Sequence, residues 1–370
     1  MSSSHSSTTL FEPLAFPRGR ALPNHFVLAP LTNQQSHDDG TLSDDEHRWL
    51  TFRAEGGFGL TMTCAAHVQA IGQGFPGQLG VWGDHQLPGL TRLASDINAT
   101  GSVSIAQLHH AGNRSPAEVI GTSPVCPSDD EETGARALTS NEVIELVADF
   151  VAAAVRCEKA GFDGVELHGA HGYIICQFLS SELNKREDNY GGSLENRSRM
   201  LFEMLAGIRE QCSDDFIVGV RLSPERFGMK LSEIKEVTQR LIDTGDVDFM
   251  DISLWDSFKE PEEDEWKGRN LTEIVCDLER REDPQGRRVP IGVAGKIHDP
   301  ADVDRVLEAG ADFPILGRVA ILHHDYPNLL AADSDFTPVR PPVSRQYLLD
   351  EGLSEAFVEY MNRWPGFIEG

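Results

Sequence analysis

The segment LHGAHGY, from Leu167 to Tyr173, places two imidazoles and a phenol within seven residues, directly after an apolar run. Side chains of these types suit three kinds of chemistry: metal ligation, proton transfer, and hydrogen bonding to an oxygen atom. Metal ligation is disfavoured because the segment contains no carboxylate or thiolate and differs from the H-E-x-x-H zinc pattern. His168, His171 and Tyr173 are therefore candidate catalytic residues that act without a metal.

Polar side chains also fall where several other apolar runs end. Thr32, Gln107 and Arg221 occupy such positions, as do His168 and His171. A single Gln or Arg at the end of a strand is usually a structural hydrogen-bonding partner. Five such residues on one rim indicate an active site instead, provided that the strands they follow lie side by side.

Two segments near the end of the chain, VAGKIHDPADV and ILGRVAI, suit a phosphate group. Gly295 and Gly317 allow close approach to the backbone, and Lys296 and Arg318 supply positive charge. Ala294 precedes the first of these glycines. A tight turn between a strand and a helix, with solvated cations, explains the same residues equally well.

Gly72, Gly74 and Gly77 form a G-x-G-x-x-G sequence, the pattern of Rossmann dinucleotide-binding domains. Pro76 interrupts the pattern, and no strand–turn–helix unit surrounds it, although the binding mechanism requires one. We therefore interpret these residues as a flexible loop. A nicotinamide cofactor would have to bind without a Rossmann domain.

Eight short apolar or β-branched runs alternate with amphipathic helical patterns along the chain. The runs begin at Phe26, Leu60, Ser102, Gly164, Phe216, Asp248, Val289 and Asp312. Such alternation predicts parallel strands joined by crossover helices, and eight units predict an α/β fold of the single (β/α)8 TIM barrel type. A doubly wound open sheet is the competing architecture.

The helical patterns carry recognisable ends. One helix is predicted from the cap Ser140 to the stop Gly161, and another ends at Gly310. Long insertions at 112–138 and 184–192 follow the third and fourth strands. Active sites of TIM barrels lie at this end of the strands, so the insertions are expected to border the site.

We expect residues 10–335 to form the barrel and the Ser-rich residues 1–9 to be disordered. Residues 336–370 are predicted to be a C-terminal extension, packed on the barrel or on a neighbouring subunit. This extension ends near YMNRWPGF, whose Arg363 and Trp364 either anchor it to the surface or reach a neighbour's pocket. A homo-oligomer is compatible with both arrangements.

Composition excludes several classes of protein. The formal net charge of −27 disfavours nucleic-acid binding, which needs clustered Lys and Arg. The six cysteines form no C-x-x-C pair and are expected to be buried free thiols rather than disulfides or ligands of zinc or an iron–sulfur cluster. No membrane span or secretory signal is recognisable, so a cytoplasmic protein is expected.

Six stretches of this sequence resemble the old yellow enzymes, flavin-dependent ene-reductases that are also called NADH:flavin oxidoreductases. In chain order they are NHFVLAPLT, IAQLHHAG, GFDGVELHGAHGYIICQFLS, LNKREDNYGGSLENRSR, VGVRLSP and ILGR. The resemblance implies a non-covalently bound FMN, NAD(P)H as the reductant, and reduction of the C=C bond of α,β-unsaturated carbonyl compounds, a class of activated alkene.

The resemblance also assigns roles around the flavin. Positions that match the family's contacts to the flavin ring are Ala29, Pro30, Leu31, Thr32, Ala65, Gln107 and Arg221. An amide at position 107 suits the pyrimidine edge of the ring, and a cation at position 221 suits the negative charge of a reduced flavin. The phosphate is expected at Ala294, Gly295, Lys296, Gly317 and Arg318. FMN is preferred to FAD because the sequence offers no place for an adenylate.

For the substrate, the resemblance implies that His168 and His171 grip the carbonyl oxygen and stabilise a developing enolate. Tyr173 matches the proton donor to the α-carbon. Hydride is expected to arrive from flavin N5 on the opposite face, which gives trans addition.

Some residues depart from the family pattern, and rival functions remain. Thr32 and Gln34 stand where one branch has Cys and Tyr, and His109 stands where some relatives have Trp, so the redox potential and pocket size are open. The rivals are FMN enzymes that act on nitro compounds or remove a methyl group oxidatively, a flavinless lyase or isomerase of a sugar phosphate, and a non-enzymatic FMN-binding protein.

Overall fold

The structure, a computed structural model, describes residues 9–370; residues 1–8, which belong to the stretch predicted to be disordered, lie outside it. The strands are β1 Val27–Leu28, β2 Leu60–His67, β3 Val103–His109, β4 Val125–Cys126, β5 Arg136–Ala137, β6 Gly164–Gly169, β7 Ile217–Leu222, β8 Phe249–Ser253, β9 Ile291–Ala294 and β10 Phe313–Leu316. The helices are α1 Asp44–Glu55, α2 Leu87–Ala99, α3 Ala117–Ile120, α4 Ser140–Ala160, α5 Ile174–Leu179, α6 Leu194–Gln211, α7 Leu231–Thr244, α8 Leu271–Cys276, α9 Pro300–Glu308, α10 Arg318–Leu322, α11 Tyr326–Ala332, α12 Arg345–Asp350 and α13 Glu355–Met361.

Eight parallel strands close into a barrel in the order β1-β10-β9-β8-β7-β6-β3-β2. They coincide with the eight predicted runs, which confirms the TIM barrel and shows that the open sheet is wrong. The small sheet of β4 and β5 lies within the 112–138 insertion and was not predicted. Two-residue strands carry too little periodicity to be recognised in a sequence.

Aromatic rings fill the barrel at the end where the strands begin, here called the amino end. Phe16, from the segment before β1, stacks on Phe249 with ring centroids 5.3 Å apart. Glycines make room for these rings: a Cβ at Gly219 would lie 2.1 Å from the Phe249 ring, and one at Gly292 would lie 1.9 Å from Phe313. The barrel is therefore closed at its amino end.

The ends of α4 correct one prediction. Thr139, and not Ser140, is the N-cap: its Oγ1 accepts a hydrogen bond from the backbone N–H of Glu142 at 3.2 Å. The Glu142 carboxylate accepts in return from the Thr139 N–H at 2.8 Å. This reciprocal capping box favours Thr139 because Glu142 lies three residues after it. The helix ends at Gly161, as predicted, with φ of +94°.

The C-terminal residues pack on their own barrel. Phe357 of α13 meets Trp49 of α1 edge to face, with centroids 4.8 Å apart. The Tyr347 hydroxyl of α12 donates to the carbonyl oxygen of Leu322 at 2.6 Å. All six cysteines are buried and free, which confirms that prediction. Within residues 9–370 the structure contains no helix with the length and apolarity needed to cross a membrane.

Candidate active site

Backbone strain is concentrated at the opposite end of the barrel, where the strands end, here called the carboxyl end. Six non-glycine residues in the described chain have positive φ, and all six follow a barrel strand at this end. They are Gln34, His171, Arg226, Phe227, Trp255 and Lys296. This conformation is unfavourable for residues with a Cβ, and such strain typically marks a functional site.

His168 and His171 form a hydrogen-bonded pair that is anchored at both ends. His168 Nδ1 accepts from the backbone N–H of Ala170 at 3.2 Å, so its proton is on Nε2. That nitrogen lies 3.3 Å from His171 Nδ1, and His171 Nε2 lies 2.7 Å from Ser253 Oγ. The contacts define one consistent set of tautomers: His168 donates to His171, and His171 donates to Ser253.

Both imidazoles are neutral at physiological pH. Burial lowers the pKa of His168 well below its usual value, and the neighbouring His171 and the cations Arg221 and Arg114 lower it further. Burial, followed by Arg221 and Arg114, lowers the pKa of His171 in the same way. The pair therefore offers neutral N–H donors and does not bind protons near pH 7.

Tyr173 lies beside the pair, as the sequence predicted. Its ring centroid is 5.1 Å from that of His168 and 6.5 Å from that of His171, both in edge-to-face geometry. The His109 ring also meets the Tyr173 ring edge to face, with centroids 4.3 Å apart. The Arg114 guanidinium lies 4.8 Å from the ring centroid and donates to the backbone carbonyl of His171.

Two buried carboxyl groups lie within the barrel strands next to Gln107 and Arg221. Glu166 Oε1 accepts from Gln107 Nε2 at 2.6 Å, and Asp251 Oδ2 lies 3.1 Å from Arg221 Nε. Burial raises the pKa of Asp251 to about 6 and that of Glu166 well above its usual value, whereas Arg221 opposes both shifts. Sequence analysis missed these acids, although a carboxyl group inside an apolar strand is a detectable signal.

These residues come from strands that are neighbours in the barrel. Gln107 lies in β3, two residues before its end. His168 lies in β6 and His171 just after it, Arg221 lies in β7, and Ser253 ends β8. Four of the five residues of the predicted rim therefore come from adjacent strands, and the fifth, Thr32, follows β1 at the same end of the barrel.

The family model of the NADH:flavin oxidoreductase / NADH oxidase family matches residues 9–333. The chain belongs to this family. It is an FMN-dependent NAD(P)H oxidoreductase, as the resemblance implied. A curated relative, the probable NADH-dependent flavin oxidoreductase YqiG of Bacillus subtilis, is 36% identical over 320 residues, which are 84% of each chain.

A larger family member, NADH:fumarate oxidoreductase of Klebsiella pneumoniae, is 32% identical over 343 residues. The match covers 89% of this chain but only 36% of that protein. Among solved structures, morphinone reductase in complex with tetrahydroNAD has a TM-score of 0.74 at 26% identity, covering 92% of this chain and 93% of that one. The old yellow enzyme homologue from Zymomonas mobilis shares the fold, with a TM-score of 0.77 at 24% identity and coverage of 95% and 99%.

The polar groups of the site fit the ring of this family's FMN. Gln107 gives its Nε2 to Glu166, and its Oε1 accepts no hydrogen bond from residues 9–370, so it is available to an N–H donor such as the one on the flavin pyrimidine edge. Ala65 is the register partner of Gln107 across β2 and β3. Its small side chain leaves room for a flat ring beside this amide.

The segments expected to contact the phosphate follow β9 and β10, which are neighbouring strands. A Cβ at Gly317 would lie 3.5 Å from Leu31 and 3.8 Å from Ala29, so Gly317 borders the segment that follows β1. Arg318 is exposed and has no carboxylate partner among residues 9–370, so its charge is free for a phosphate. Lys296 differs, because its Nζ pairs with Asp256 at 2.9 Å.

Two further neighbours of the site were not found from the sequence. Ser253 contacts His171, which lies 82 positions earlier, and no local pattern announces such a contact. Tyr360 of α13 brings the C-terminal extension near the site: burial raises its pKa, the nearby Tyr173 adds to the rise, and Arg363 and Thr32 lower it. The extension therefore borders its own chain's site, and Arg363 lies 5.6 Å above the Tyr360 ring.

Proposed function

We propose that this oxidoreductase reduces the C=C bond of an α,β-unsaturated carbonyl compound. The observation that supports the proposal most is that two neutral imidazoles and one phenol meet at one place. His168 Nε2 lies 3.3 Å from His171 Nδ1, and the Tyr173 ring packs beside both imidazoles. Polarising a carbonyl needs hydrogen-bond donors, which neutral imidazoles supply, and protonating a carbon atom needs an acid next to them.

The proposed FMN contacts are the ring-facing Ala29, Pro30, Leu31, Thr32, Ala65, Gln107 and Arg221, and the phosphate-facing Ala294, Gly295, Lys296, Gly317 and Arg318. When bound, FMN accepts a hydride from NAD(P)H and delivers one to the β-carbon of the alkene. Arg221 is held by Asp251 at 3.1 Å and donates to Ser253 Oγ at 3.4 Å, so its guanidinium is fixed in place. A fixed cation stabilises negative charge without reorganisation during the reaction.

The histidine pair donates hydrogen bonds to the carbonyl oxygen of the substrate. His168 Nε2–H, which donates to His171 in the absence of a ligand, turns to the substrate oxygen. Ser253 Oγ can donate as well as accept, so it also supports the tautomer of His171 that carries its proton on Nδ1. Two N–H groups then point at one oxygen and stabilise the enolate that develops as the β-carbon gains the hydride.

Tyr173 gives its hydroxyl proton to the α-carbon. The His109 ring and the Arg114 guanidinium hold its ring at 4.3 Å and 4.8 Å, which limits the directions that the hydroxyl can take. Because one carbon gains a hydride and the next a proton, the C=C bond becomes C–C with no other reagent. Fumarate, which appears in the name of one larger relative, also contains a C=C bond conjugated to a carbonyl group.

The test is anaerobic and uses the purified holoprotein. We expect the protein to be yellow, to release FMN on denaturation, to bleach with NADH or NADPH, and to regain its colour with 2-cyclohexenone while forming an equal amount of cyclohexanone. A colourless folded protein that ignores added FMN would contradict the flavin assignment. Bleaching without recovery by the enone would contradict the substrate class.

The rival functions predict other outcomes of the same assay. Recovery of colour with a nitroarene but not with the enone would favour nitro reduction. Formaldehyde released from a methylated amine would favour oxidative demethylation. A yellow protein that neither NADH nor NADPH bleaches would favour a non-enzymatic FMN-binding protein.

A further inference from the structure

We propose that Trp255 and Arg226 bind the adenosine-diphosphate half of NAD(P)H, an inference that rests on the proposed function. The nicotinamide half must reach the reacting ring, and the rest of the molecule must lie on the rim. The sequence offers no Rossmann domain for it, since the Gly72–Gly77 pattern is a loop. The rim therefore has to supply an aromatic surface for adenine and a cation for the diphosphate.

Trp255 supplies the aromatic surface. It lies two residues after Ser253, at the carboxyl end of the barrel, and 60% of the residue is exposed, although apolar groups are usually buried. Its φ of +61° is strained, so the backbone holds the ring outward at a cost. Adenine stacks on tryptophan faces with substantial affinity.

Arg226 supplies the cation. Its Cζ lies 4.9 Å from the Trp255 ring centroid, and it has no carboxylate partner among residues 9–370. The acids next to Arg226 and Trp255 in the sequence are paired: Glu225 with Lys259 at 2.8 Å, and Asp256 with Lys296 at 2.9 Å. An arginine left with free N–H groups beside a ring suits a phosphate next to a base.

Arg226 follows β7 and so lies across the His168–His171 pair from the acidic insertion that follows β3. The loop that follows Trp255 is acidic as well, with Glu260, Glu262 and Glu263, so net charge does not distinguish the two sides; the ring and the guanidinium do. The phenyl ring of Phe227, next to Arg226, lies 2.8 Å from where a Gly172 Cβ would lie, which connects this side to the site.

The test compares hydride donors that contain the adenosine portion with one that lacks it. NADH and NADPH contain adenosine; reduced nicotinamide mononucleotide, NMNH, does not. Anaerobic stopped-flow bleaching of the holoprotein gives the Kd of each donor. We expect Trp255→Ala to raise the Kd of NADH and NADPH about 5- to 100-fold, with the limiting rate and the Kd of NMNH unchanged. Arg226→Gln should raise the Kd of NADH and NADPH by more than that of NMNH, which retains one of the two phosphates. Trp255→Phe, which keeps a ring, should stay within about threefold of the wild type.

Arg240 is the matched control, because its Cζ also lies 4.9 Å from an aromatic ring, that of Phe202 on the outer helices. Arg240→Ala should change neither donor. ADP-ribose should bind the wild type in calorimetry and compete with NADH, and Trp255→Ala should abolish both effects. Equal weakening of NADH and NMNH, or no weakening of either, would overturn the site. If neither donor bleaches the wild type, the proposed function itself fails, and the adenosine site fails with it.

Discussion

The two ends of the barrel use charged residues in opposite ways. At the amino end, an aspartate directly precedes every second strand of one side: Asp163 before β6, Asp248 before β8 and Asp312 before β10. Each carboxylate accepts from an arginine and from a backbone N–H of the adjoining strand. Asp163 accepts from Arg20 at 2.9 Å and from the Ser104 N–H at 2.8 Å. Asp248 accepts from Arg209 at 2.5 Å and from the Val218 N–H at 2.7 Å. Asp312 accepts from Arg288 at 2.6 Å and from the Ile291 N–H at 2.8 Å.

At the carboxyl end several cations and one imidazole nitrogen have no such partner within the described chain. Arg114, Arg226 and Arg318 have no carboxylate partner among residues 9–370, and His109 Nε2 is buried without a hydrogen bond. A solvent-open depression of about 800 Å³ lies at the amino end, but the four arginines that line it are all paired. The comparison teaches that the amino end holds the barrel together, whereas the carboxyl end keeps its polar groups for ligands.

The largest expected effect concerns the amino end. Asp248→Ala leaves Arg209 and the Val218 N–H partly buried without their acceptor, which should lower the free energy of unfolding by about 3–5 kcal/mol. The rate of flavin bleaching by NADH should not change. Chemical denaturation of the holoprotein measures the first quantity. Asp44→Ala, which breaks an exposed pair with Arg92, is the control and should leave the midpoint unchanged. An unaltered midpoint for Asp248→Ala would refute the assignment of this end to stability.

The next effect concerns the carboxyl end. His168→Ala removes a donor to the developing enolate, so reoxidation of the reduced protein by 2-cyclohexenone should slow by about 100- to 1000-fold. The melting temperature should stay close to that of the wild type. His47→Ala removes a histidine of α1 that pairs with Asp96 of α2, and it should leave the reoxidation rate unchanged. A large loss of stability with normal reoxidation would reverse the roles given to the two ends.

Lowering the pH should reduce the free energy of unfolding, mainly through the histidines around the carboxyl end. Burial lowers the pKa of His67 to about 4 and that of His110 to about 3, and it also lowers the pKa of His109, His168 and His171. The unfolded chain binds these protons below about pH 6.5. Stability therefore falls with pH below that value, by about 1.4 kcal/mol per pH unit for each histidine.

Three buried acids act in the opposite direction, because a raised pKa favours the folded state as pH falls. Burial raises the pKa of Asp251 to about 6, and it also raises the pKa of Glu166 and Glu46. Melting temperatures measured between pH 7.5 and pH 5, roughly the window set by these pKa values, should fall on the acid side. His67→Gln should make this fall shallower, because it removes the contribution of one histidine. A flat profile would show that these histidines are not held neutral.

The smallest effect concerns strain. Gln34 has a φ of +57° at the carboxyl end, so Gln34→Gly should raise the free energy of unfolding by about 0.5–1 kcal/mol. Gln73→Gly is the matched control, because its φ of −63° suits any residue, and it should lower stability slightly. Equal destabilisation by both changes would show that Gln34 is not strained.

The sequence predicted what local patterns encode. Eight apolar runs gave the barrel, and the spacing of LHGAHGY gave the two histidines and Tyr173, which the fold does bring together. Contacts between distant segments could not be predicted in this way. Ser253 and Tyr360 reach the site from later strands and from the C-terminal helix, and Asp248 meets Arg18 across 230 positions. The N-cap was misplaced by one residue because Thr139 and Ser140 both suit a cap, and only the partner Glu142 distinguishes them.

The central claim is that the carboxyl end binds an activated alkene for reduction by a hydride that originates from NAD(P)H, with Tyr173 as the acid. The most direct measurement follows both half-reactions of Tyr173→Phe by anaerobic stopped-flow, in ²H₂O, with 2-cyclohexenone. We expect bleaching by NADH at the wild-type rate, reoxidation slowed by about 100-fold or more, and solvent deuterium at the α-carbon of the wild-type product. Unchanged reoxidation in the variant, or a wild-type product without deuterium at that carbon, would contradict the account.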